Sequence, residues 1–136
     1  MLIVAVYGTL KRGFYNHYLL KNSEFLGAGI SQNRFILGHY SYPAVVKGDE
    51  GAPVEVEIYE VDEKTMRNLD YLEGYPTFYT RSKEKFKLNG REVEAFIYHL
   101  PKEREFFIWK RPNSDIPHRW TEKGWFPVKQ TFREEK

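Results

Sequence analysis

The run Leu2-Ile3-Val4-Ala5-Val6 is the feature that most constrains the fold, because five aliphatic residues in succession offer no polar face to water. A segment of this length reads as a β-strand covered on both sides, in the middle of a sheet. It ends at Tyr7-Gly8, where the chain has to turn. With 136 residues and 23 aromatic side chains, the sequence can bury a sizeable core. A single domain over 1–136 is expected, folded nearly from end to end.

Downstream, Asn16 before His17-Tyr18-Leu19-Leu20 predicts a capped short helix. Arg34–Leu37 and Ala44–Val46 are short apolar segments between Gly38, Pro43 and Gly48, compatible with brief strands. Across Pro53–Val61, Val54, Val56 and Ile58 alternate with Glu55, Glu57 and Tyr59, which puts the aliphatics on one sheet face. Asp62 then supplies an N-cap, Met66, Leu69 and Leu72 repeat every three residues, and Gly74 is a stop, which predicts a helix of about three turns. Asn89-Gly90 joins Arg81–Leu88 to Glu92–Leu100 as a two-residue hairpin. From Pro101 onward there is little periodicity, three further prolines (Pro112, Pro117 and Pro127) and all three tryptophans, so an irregular, aromatic-anchored arm over 101–136 is expected to wrap the domain, with Glu134–Lys136 fraying.

Two places can carry chemistry. At Tyr7-Gly8-Thr9-Leu10, Gly8 allows special dihedrals and a close approach of ligand to backbone. If no strand takes the N–H groups of Gly8, Thr9 and Leu10, they form a donor cluster for a carboxylate or an oxyanion. The plainer reading is an ordinary turn. Glu73 stands at the C-terminal end of the second expected helix, where the dipole disfavours negative charge and should raise its pKa. That suits a general acid or base, although a solvated glutamate in a fraying turn fits as well. Asp70, three residues earlier, would raise Glu73 further if it shared its face, but an exposed Asp70 is the simpler expectation.

Other chemistries lack support. Without cysteine there is no disulfide, thiolate ligand or cysteine nucleophile. His17, His39, His99 and His118 show no paired ligand spacing, so no metal is expected, and the serines lack a GxSxG setting. Gly8-Thr9-Leu10-Lys11-Arg12-Gly13 matches neither standard phosphate loop. The aliphatic run at residues 2–6 is too short for a signal or membrane segment, and a cytoplasmic location is expected. Net charge is +2, with nine Lys/Arg against six Asp/Glu in residues 100–136. Trp109-Lys110-Arg111 and His118-Arg119-Trp120 could stack on and neutralise single-stranded nucleic acid, but such aromatics more often pack on their own domain, and nucleic-acid binding is not the expectation.

Taken together, Val6-Tyr7-Gly8-Thr9-Leu10-Lys11-Arg12-Gly13 and Leu69-Asp70-Tyr71-Leu72-Glu73-Gly74-Tyr75-Pro76 resemble the γ-glutamyl cyclotransferase-like superfamily, nearest its γ-glutamylamine cyclotransferase and AIG2-like branch. Asn16-His17, Tyr42-Pro43, Glu57–Asp62, Tyr79 and Arg81 add to the match, which covers roughly residues 2–100. The resemblance implies an α+β fold, a compact mixed β-barrel flanked by short helices. It also implies a cofactor-independent enzyme that closes a γ-glutamyl group into 5-oxoproline and expels an amine. Glu73 would be the catalytic acid/base, and Tyr7, Gly8, Thr9, Leu10 and Tyr79 would bind the small-molecule γ-glutamyl substrate. Two departures stand out: Val56 replaces a frequent glycine, and the segment from Pro101 matches nothing assignable. The alternatives are a related domain acting on another γ-glutamyl-acylated metabolite, or a non-enzymatic module using the arm. The oligomeric state is left open.

Overall fold

The computed structural model describes residues 1–128. Strand β1 (Leu2–Val6) is followed by a 3-10 turn at His17–Leu20, then β2 (Glu24–Ser31), β3 (Phe35–His39), β4 (Pro43–Lys47) and β5 (Glu55–Val61). Helix α1 (Glu63–Glu73) leads into β6 (Thr80–Leu88) and β7 (Arg91–His99). A 3-10 segment at Lys102–Phe107 and the short strands β8 (Trp109–Lys110), β9 (His118–Thr121) and β10 (Gly124–Pro127) complete the described chain.

Five strands close into a barrel in the order β1-β5-β2-β6-β7, sealed by the parallel pairing of β1 with β7. Closure explains the aliphatic first strand: Ala5 joins the cluster containing Ile58, Phe86 and Ile97, while Val4 and Val6 join the one containing Met66 and Leu69 of α1. The alternation across β5 holds, with Val54, Val56 and Ile58 in one cluster and Tyr59 and Val61 in the other. Val56 packs fully buried, opposite Gly29 of β2 in register. The architecture is thus the α+β, mixed barrel with short helical elements that the family resemblance implies.

Local signals are borne out where they are strongest. The Asp62 carboxylate accepts the Thr65 amide at 2.7 Å, and Gly74 ends α1 in the left-handed conformation, with φ of 69°. Asn89 and Gly90 both take positive φ, 53° and 80°, as a two-residue hairpin requires. The first expected helix is instead a single 3-10 turn, and Asn16 makes no capping bond. Its side chain is used elsewhere, as described below. Leu72 is 39% exposed and faces a pocket rather than the core.

Beyond Pro101 the chain is more regular than expected. β8 pairs with β3 in a three-stranded sheet, and β9 and β10 form a hairpin. Trp125 is buried and Trp120 partly buried, whereas Trp109 is exposed. Arg119 pairs with both carboxylate oxygens of Glu55, and Lys110 with Glu105, so these two cations of the basic-aromatic segments are engaged within the fold. The expected fraying of Glu134–Lys136 lies outside the described residues.

Candidate active site

The segment after β1 and the end of α1 meet at a cavity of about 380 Å³. Tyr7, Gly8, Thr9, Leu10, Glu73 and Tyr79, the residues singled out from sequence, all line it. So do Tyr40, Tyr42 and Tyr98, which the residue-level reading did not select.

The loop is held by its own polar groups. The Asn16 side-chain amide donates to Thr9 Oγ1 at 2.9 Å, and the Asn16 backbone amide donates to the Thr9 carbonyl at 2.9 Å. The His17 ring donates through Nδ1 to the Leu10 carbonyl at 2.9 Å, which fixes its hydrogen on that nitrogen. Outside the loop, the Glu57 carboxylate accepts the Arg12 amide at 2.9 Å. Every one of these bonds serves a carbonyl, a side chain or the Arg12 amide. Among the described residues, the amides of Gly8, Thr9 and Leu10 have no acceptor.

Gly8 owes its identity to a close approach. It does not adopt positive φ, contrary to the special dihedral expected of it. A Cβ placed there would lie 2.6 Å from Pro43 Cγ, well inside contact distance. The start of β4 therefore rests directly on the loop backbone. Pro43 is held in turn by Tyr79, whose hydroxyl donates to the Pro43 carbonyl at 2.9 Å. Since that uses the single hydroxyl hydrogen of Tyr79, Tyr40 is the donor in its 3.0 Å contact with Tyr79. The chain of bonds runs from Tyr40 through Tyr79 to the Pro43 carbonyl.

Glu73 ends α1 with its carboxylate facing this cluster. Among the described residues its side chain has no hydrogen-bond partner and no ion pair, and burial pushes its pKa up to about 7. The cause is desolvation in the cavity wall. Its charge is felt by four surrounding phenols, Tyr7, Tyr40, Tyr79 and Tyr98, each already raised chiefly by its own burial. Asp70 is neither exposed nor a partner in raising Glu73. Arg81 binds it through two nitrogens, at 2.9 and 3.1 Å, and the Tyr98 hydroxyl donates to it at 2.6 Å. Its charge is neutralised where it stands.

The sequence held a partial signal for Tyr98. Phe96 and Tyr98 occupy the β7 face opposite Ala95 and Ile97, and that alternation could have identified them as facing α1. Tyr40 follows β3 in a turn and has no periodic signal at all. Among the described residues, no group of three or more His, Cys, Asp or Glu side chains is placed to hold a metal ion.

Residues 4–125 match the family model described as γ-glutamyl cyclotransferase, AIG2-like. The match runs well past residue 100, so most of the C-terminal segment lies within it. The human γ-glutamylaminecyclotransferase is 31% identical over 134 residues, spanning 90% of this chain and 85% of its own. A Methanocaldococcus jannaschii protein with a provisional γ-glutamylcyclotransferase name is 42% identical over 103 residues, 74% of this chain and 86% of its own. The crystal structure of a mouse AIG2-like protein superposes with a TM-score of 0.69 at 31% identity, covering 85% of this chain and 88% of that one. A family model that matches residues 4–125 and relatives at 31–42% identity, on a barrel shared with the mouse structure, lead to one assignment: the chain belongs to the γ-glutamyl cyclotransferase, AIG2-like family.

Proposed function

We propose that the chain closes γ-glutamyl amides into 5-oxoproline and releases the amine. The α-amine nitrogen of the γ-glutamyl group attacks its own γ-carbonyl carbon, and the carbon–nitrogen bond to the leaving amine breaks. Because nucleophile and electrophile are tethered, the enzyme gains chiefly by holding them in the reactive geometry. Glu73 takes the proton from the attacking amine and delivers it to the leaving nitrogen. The free amides of Gly8, Thr9 and Leu10 are suited to the substrate's carboxylate or to the oxyanion of the tetrahedral intermediate.

The observation that carries this reading is the state of Glu73. A carboxylate with a pKa of about 7 and no partner among the described residues is as ready to accept a proton as to give one near neutrality. The deciding experiment incubates the protein with γ-glutamyl-ε-lysine, γ-glutamyl dipeptides and glutathione, and measures 5-oxoproline. Turnover of at least one, lost in Glu73→Gln, is expected. Turnover of none would point to a γ-glutamyl group on another metabolite, and full activity of Glu73→Gln would overturn the mechanism.

A further inference from the structure

The free amides of Gly8, Thr9 and Leu10 lie between two residues that the C-terminal hairpin grips. On one side, the Tyr7 ring stacks on Trp125, with centroids 5.9 Å apart and planes 26° apart. On the other, Lys11 sends its ammonium to the Trp120 carbonyl at 2.7 Å. Lys11 is 8% exposed, which is unusual for a lysine, and the bond to β9 gives its buried charge an acceptor. Burial also lowers its pKa, as expected of an ammonium removed from water.

The hairpin is itself firmly seated. Trp125 donates its indole N–H to the Gly38 carbonyl at 2.8 Å and meets Trp120 edge-on, with centroids 5.5 Å apart. At the other end, the His118 amide donates to the Pro53 carbonyl at 3.0 Å, and Arg119 forks onto Glu55 of β5. An element anchored on β3 and at the start of β5 therefore reaches over to the loop at both of its ends. Nothing else among the described residues holds the Lys11 ammonium by a hydrogen bond.

We propose that the β9–β10 hairpin is a brace that sets the position of the donor loop, and that Lys11 and Trp125 are positioning residues for substrate binding. This rests on the reading of Gly8–Leu10 as substrate-binding donors. The brace acts on the geometry of the amides and leaves proton transfer at Glu73 untouched. Loosening it should weaken binding of substrate more than it slows the bound substrate.

The test compares wild-type protein with Lys11→Met, which keeps the buried stem but loses the donor, and with Lys11→Arg, which restores one. Backbone 15N relaxation reports the order of residues 8–10 without any substrate. Steady-state kinetics on a turned-over γ-glutamyl amide report KM and kcat. For Lys11→Met we expect lower order at residues 8–10, a KM raised about tenfold or more, and kcat within about threefold of wild type. The acidic limb of the pH profile should keep its midpoint, and Lys11→Arg should recover part of the KM. A Lys11→Met protein with wild-type loop order and KM, whatever its melting temperature, overturns the brace. If Lys11→Met does not fold, Trp125→Phe is read the same way, since it shrinks the surface under Tyr7 and removes the bond to Gly38. If wild-type protein turns over no γ-glutamyl amide, the proposed function fails, and the relaxation data alone decide on the brace.

Discussion

Gly8 and Pro43 are in such close apposition that a single added carbon on Gly8 would sit 2.6 Å from the proline Cγ. The proline ring cannot swing aside as a flexible side chain would, and Tyr79 holds its carbonyl. Gly8→Ala must therefore move either the loop or the start of β4. A destabilisation of about 1–3 kcal/mol, the usual cost of overpacking, is expected in urea unfolding. Catalytic efficiency should fall by more than about tenfold, because both shifted segments line the cavity. Normal stability together with normal turnover in Gly8→Ala would show that the contact is slack.

Replacing Glu73 by Gln should lower kcat by roughly 100-fold to 10,000-fold, the range that positioned acid–base groups contribute. The same change should not weaken the fold at alkaline pH. The Glu73 pKa is about 7 in the folded chain against an ordinary 4.5, so its contribution to stability is fully present below about pH 4.5 and is lost as pH rises through about 7. The loss is on the order of 3 kcal/mol. Unfolding free energies at pH 5 and pH 8 should thus shift in favour of Glu73→Gln at the higher pH. A variant equally affected at both would contradict the burial of this carboxylate.

The pH dependence of kcat/KM gives an independent check. Glu73 must be ionised to accept the proton, so activity should rise with pH through a midpoint near 7. Asp70 is neutralised by Arg81 and is not among the causes of the Glu73 shift. Asp70→Asn should leave the midpoint within about 0.3 units, even where it costs stability. A midpoint moved by a full unit in Asp70→Asn would mean that the two carboxylates are coupled after all.

Tyr40 and Tyr79 should differ in a defined order. Tyr79→Phe leaves the Pro43 carbonyl without its donor and Tyr40 without an acceptor, for a cost of about 1–3 kcal/mol. Tyr40→Phe removes one bond and leaves the one to Pro43 intact, so it should cost less. Chemical denaturation of the two single variants and the double variant measures the order and the coupling. Equal costs, or a larger one for Tyr40→Phe, would break the assigned direction of the chain.

How much of this was legible beforehand follows from range. The Asp62 cap, the Gly74 stop and the Asn89-Gly90 turn are decided by dihedrals and bonds within a few residues, so the sequence alone predicts them, and with them α1 and the β6–β7 hairpin. Burial of β1 on both faces was legible too, because an unbroken aliphatic strand has no side to give to water. The motif pair then identified Tyr7, Gly8, Thr9, Leu10 and Glu73, which line the cavity, but not Tyr40 or Tyr98. It carried no information on Asn16, whose amide is spent on Thr9 rather than on a helix end.

The sequence by itself thus determined which residues could form strands, helix and turns, and which two segments meet at the cavity. Only the tertiary structure decided their physical state. Glu73 is shifted by burial under elements distant in the chain, Asp70 is quenched by Arg81 on β6, and Gly8 is required by Pro43 rather than by its own dihedral. Lys11 finds its acceptor 109 residues away. Desolvation and pairing depend on what the closed barrel brings alongside each group, and no local propensity encodes that.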